Sequence, residues 1–64
     1  MHKYELTAAI VAVIKRALEA GYYQHIIAGY FGINQGRVSE INQGKRGSTV
    51  PPADMLPPDF PALA

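Results

Sequence analysis

The segment Gln24 to Gln43 reads QHIIAGYFGINQGRVSEINQ, and its small and apolar positions recur at spacings that fit two short helices joined by a sharp turn. Ala28 is followed by Gly32, then by Val38 and Ile41, while Ile27, Phe31 and Ile33 fill the other apolar slots. A second helix crossing close over position 28 needs a small side chain there. A sharp turn at position 32 needs a positive φ, which glycine supplies at little steric cost. Ile27, Phe31, Ile33, Val38 and Ile41 are then expected to share one core. Asn34, Gln35, Gly36, Ser39, Glu40 and Gln43 are left on the outside of the second helix.

A further helix is expected upstream. Leu6, Ile10, Val13, Ile14, Ala17 and Leu18 recur at helical spacing from a suitable cap at Thr7, and Gly21 stops the pattern, which predicts a helix over Thr7 to Ala20. Val11 falls off that stripe and reads either as an ordinary surface residue or as the edge of a dimer contact. Asn34 is a good N-cap for the last helix and Gly44 its stop. The expected fold class is therefore all-α, a three-helix bundle.

These spacings resemble the helix-turn-helix superfamily of DNA-binding proteins over roughly residues 6 to 46. Among its members, the compact three-helix domains of recombinases and of small phage or plasmid regulators are the most similar. The resemblance implies a backbone-crossing helix at about Tyr23 to Tyr30 and a recognition helix at about Gln35 to Asn42. It departs at Tyr23, where many relatives carry Ser or Thr as the cap.

If the resemblance holds, the residues facing duplex DNA follow from position. Gln35, Ser39 and Gln43 would meet base edges, together with Asn34, Gly36 and Glu40. Arg37 would contact guanine or phosphate, although Glu40 three residues on could pair with it instead. Lys45 and Arg46, in GKRG after the recognition helix, would grip phosphate. Tyr22, Tyr23, Gln24 and His25 surround the start of the second helix, where free amides and the helix dipole favour an anion. Gly36 costs about 1 kcal/mol relative to Ala inside a helix, which suggests either close approach of DNA or tight packing against the preceding helix. Tyr30 reads equally as core.

With 64 residues there is room for one domain. A core of that size supplies only a few kcal/mol, so a partner would help. There is no cysteine, hence no disulfide or thiolate metal site, as is compatible with a reducing cytosol. The net charge of +1 is unevenly divided. Residues 1 to 50 hold all six Lys and Arg against Glu5, Glu19 and Glu40, a net +3, and the remainder holds Asp54 and Asp59. The apolar run Thr7 to Ile14 is too short to span a bilayer and runs into Lys15 and Arg16, so it reads as a helix and not as a signal segment. Neither a membrane role nor a small-molecule ligand is evident. Catalysis, a metal and a cofactor are not expected, because the acids are scattered and His2 and His25 lack further ligands.

From Ser48 the composition changes: STVPPADMLPPDFPALA holds all five prolines and no basic residue. This divides the chain into a helical domain, 1 to 47, and a Pro-rich extended tail, 48 to 64. The tail is expected either to be flexible or to dock through Met55, Leu56, Phe60 and Leu63, linking copies as a dimer or a head-to-tail array on DNA. Removing residues 51 to 64 would then spare the helical fold. The expected function is a cytoplasmic, nucleoid-associated, double-stranded DNA binder acting as a transcriptional regulator. The alternatives are a protein-interaction module, contacting for example RNA polymerase, and an architectural protein coating DNA with low specificity.

Overall fold

A computed structural model describes residues 6 to 63, which form α1 (Ala8–Glu19), α2 (Gln24–Phe31) and α3 (Gln35–Asn42), with no strand among the described residues. Capping fixes where each helix begins. Thr7 has extended backbone and its hydroxyl accepts from the amide of Ile10 at 3.2 Å, so α1 starts one residue after it. Asn34 caps α3 the same way, its side-chain oxygen accepting from the amide of Gly36 at 2.7 Å. Tyr23 precedes α2 with extended backbone and no side-chain cap.

The helix ends share one device. Gly32 sits at φ 67°, and two amides turn back onto the last turn of α2: Gly32 to the carbonyl of Gly29 at 3.3 Å and Ile33 to that of Ala28 at 3.0 Å. This paired pattern closes the orphan carbonyls, and it needs a left-handed residue, which glycine adopts without Cβ strain. The same pair of bonds recurs after α1, through Gly21 and Tyr22, and after α3, through Gly44 and Lys45.

Val11, Ile14, Ala17, Ile27, Ala28, Phe31, Val38 and Ile41 form the buried core, to which all three helices contribute. Ala28 is buried within it, and Ile33 is only partly buried against it. Val11 is 3% exposed, which overturns both expectations for it, surface residue and dimer edge. Its cover comes from residues after α3. A Cβ on Gly47 would lie 2.7 Å from Cγ1 of Val11, so the chain passes over this side chain as closely as glycine allows.

The segment after α3 continues over the helices as a strap. Lys15 of α1 donates from Nζ to the carbonyls of Gly47 at 2.6 Å and Val50 at 2.5 Å, pinning a turn that the Val50 amide closes onto Gly47. The Ala53 amide donates to the carbonyl of Ala12 at 2.9 Å. Leu56 and Phe60 then pack against the core. Phe60 meets Tyr22 edge-on at 5.0 Å between centroids and Tyr30 at 4.6 Å. Tyr22 donates to the Pro61 carbonyl at 2.6 Å, and Tyr30 to an Asp59 carboxylate oxygen at 2.7 Å.

Leu56 and Phe60, expected to be flexible or to dock on another copy, are thus engaged within their own chain. Prolines do not prevent this packing, because a strap needs side chains and a few carbonyls and not a regular backbone. Met55, 75% exposed, and Leu63, 54% exposed, point away from the core.

Candidate nucleic-acid interface

α3 turns Val38 and Ile41 inward, and both are buried. A 3.6-residue period that buries these two leaves Asn34, Gln35, Gly36 and Arg37 exposed at its start and Asn42 and Gln43 at its end, with Ser39 and Glu40 half-buried between them. No apolar side chain is exposed on this helix. Gln43 donates to the Ser39 hydroxyl at 3.3 Å, which orders a polar pair one turn apart on the outside.

Gly36 does not pack on α2. A Cβ there would lie 3.1 Å from the Asn34 side-chain oxygen and would meet nothing of α2 within 4 Å, so packing against the preceding helix is not the cause. The cap itself crowds the position.

Glu40 is the electrostatic centre of the face. Arg46 donates from Nε to Oε1 of Glu40 at 2.9 Å, and Arg37 places Nη1 3.6 Å from the same oxygen. The pairing with Arg37 is the i,i+3 alternative visible in the sequence. The contact with Arg46 crosses the end of the helix and carries no local signal. The hydrogen bond from Arg46 is the main cause that holds the Glu40 carboxyl below its ordinary range, with the charges of Arg46 and Arg37 adding to it. A carboxylate lowered on folding stabilises the fold above its ordinary range, and that contribution is lost as pH falls through the lowered value. Replacing Glu40 by Gln should therefore lower the urea midpoint slightly at neutral pH. The gap should narrow as pH falls below the ordinary carboxylate range and close once Glu40 is protonated in the folded chain as well. A gap of constant size from neutral to acid pH would contradict the pairing.

The remaining cations divide by role. Lys15 is bonded to carbonyls of the strap and does not belong to the α3 face. Lys45 is exposed just past α3 and has no ion pair among the described residues. Lys3 lies outside the described residues. At the start of α2, Tyr23 is 73% exposed and stacks on His25 with ring centroids 5.8 Å apart. Gln24 is half-buried beside them.

Among the described residues no group of three His, Cys, Asp or Glu could hold a metal ion, and no helix is long and apolar enough to cross a membrane. Comparison with known proteins finds no matching family model, no matching curated sequence and no matching solved structure.

Proposed function

We propose that the chain binds double-stranded DNA, with α2, the Gly32 turn and α3 acting as a helix-turn-helix and α3 entering the major groove. The observation that carries this reading is α3 itself: it buries two side chains and presents an outer face that is polar throughout and followed by an exposed lysine. Gln35, Arg37, Ser39 and Gln43 have the donors and acceptors that base edges require, and Lys45 and Arg46 stand where phosphate would run. The α2 amino end, free of a side-chain cap, offers amide donors to the backbone beside Tyr23 and His25. Regulation of transcription is the role such a module would serve, in the cytoplasm on the nucleoid. Two or more copies would raise occupancy, with exposed Met55 and Leu63 as the apolar contacts remaining for it.

The test is titration of the full chain with a labelled random duplex and a duplex obtained by in vitro selection, each at two salt concentrations. Arg37→Ala should weaken binding to the selected duplex by about tenfold or more and relax base preference at one position. Lys45→Ala should weaken both duplexes about equally and reduce the salt slope by about one. No binding to either duplex at low salt would overturn the reading. Intact DNA binding in both variants, with loss of a protein partner, would favour a protein-interaction module on the same face.

A further inference from the structure

Glu40 stands on the outer side of α3, between two guanidinium groups that a DNA-binding face would otherwise offer to phosphate. Both contacts fall on Oε1, from Arg46 at 2.9 Å and from Arg37 at 3.6 Å. A carboxylate has about four acceptor positions and a guanidinium five donors, so each group keeps capacity beyond this clamp. The clamp therefore displays donors of Arg37, an acceptor on Glu40 and donors of Arg46 side by side.

Resting on the duplex-binding reading above, we propose that Glu40 is a specificity-determining residue, which ties Arg37 and Arg46 together in the free protein and accepts from a cytosine N4 amino group in the bound one. A G·C pair shows the major groove two acceptors on guanine and one donor on cytosine, which matches an arginine beside a carboxylate. With A·T in place of G·C, and thymine therefore in the place of cytosine, the carboxylate would face the O4 acceptor of thymine, and two acceptors repel. Against phosphate alone the carboxylate is unfavourable everywhere, so it lowers random-sequence affinity as well. Glu40 thereby subtracts more from wrong sites than from the right one.

The experiment compares the full chain with Glu40→Gln, which keeps the shape and removes the charge. On a random duplex Glu40→Gln should bind about tenfold more tightly, with a salt slope steeper by about one, because loss of the carboxylate leaves one more net positive charge to meet phosphate. Changing the matching G·C pair of the selected duplex to A·T should cost the wild type about tenfold and the variant less than about threefold. A repeated selection with Glu40→Gln should lose the preference at that pair. Unchanged discrimination between the two duplexes, or weaker random-duplex binding by the variant, overturns the role of Glu40 and leaves DNA binding standing. Failure of both proteins to bind any duplex at low salt overturns DNA binding itself. Circular dichroism checks folding. Arg46→Gln gives an independent arm: it should weaken random-duplex binding while retaining the G·C preference, and loss of that preference would likewise overturn the role of Glu40.

Discussion

A chain ending at Val50 is expected to lose its cooperative thermal transition at room temperature. Residues 51 to 64 supply Leu56 and Phe60 to the core, the Ala53 amide to α1, and the acceptors for the hydroxyls of Tyr22 and Tyr30. Fully burying a side chain such as Leu or Phe is worth about 1.5 to 3 kcal/mol relative to exposing it, and Leu56 and Phe60 each realise a part of that. Their combined loss, about 2 to 4 kcal/mol by that scale, is comparable with the few kcal/mol that a domain this small supplies in total. The truncation also bares Tyr22, Tyr30 and part of Phe31 to water. Phe60→Ala in the full chain isolates the largest single contact and should cost about 2 kcal/mol in urea titration, below the value for a fully buried Phe because Phe60 is only partly covered. A truncated chain that still melts cooperatively within a few degrees of the full one would show the strap to be dispensable.

Gly47→Ala is expected to be the most damaging single methyl addition after α3. The position has φ 66°, a conformation that costs an L-residue roughly 1 to 2 kcal/mol. The new Cβ would also sit 2.7 Å from Cγ1 of Val11, and overpacking of a tight core adds about 1 to 3 kcal/mol. A double-mutant cycle separates the two costs. In a Val11→Ala background the clash disappears and the backbone strain remains, so the cost of Gly47→Ala should fall by about half. Equal costs in the two backgrounds would mean that the two sites do not touch.

Local signals made most of the helical frame legible. Thr7, Asn34, Gly21 and Gly44 act through hydrogen bonds within a few residues of themselves, so α3 runs over the expected Gln35 to Asn42 and α1 differs from expectation by a residue at each end. At α2 the start lies one residue later than expected, where Tyr23 gives no capping bond to mark it. The strap was not legible, because its contacts join residues far apart in sequence: Lys15 reaches a carbonyl 35 positions away and Tyr22 one 39 positions away. A proline-rich composition says that a segment will not be a helix. It is silent on whether Phe60 finds a pocket. Val11 departs from expectation for the same reason, since a helical stripe counts only the faces that other helices cover. On the candidate interface, residue types and their outward placement could be read from the period of α3. The second partner of Glu40 could not, because Arg46 comes back to it only through the left-handed turn at Gly44.

The pairing of Arg37 and Arg46 with Glu40 bears on the kinetics of encounter with a polyanion. Steering over a Debye length depends on the field a molecule projects and not on its count of cations. One carboxylate sits against both Arg37 and Arg46. On the proposed DNA-binding reading, the Glu40 carboxylate offsets part of the field that Arg37, Lys45 and Arg46 would project from α3. Association would then depend little on long-range attraction, and discrimination between sites would reside in how long the protein stays once α3 is seated.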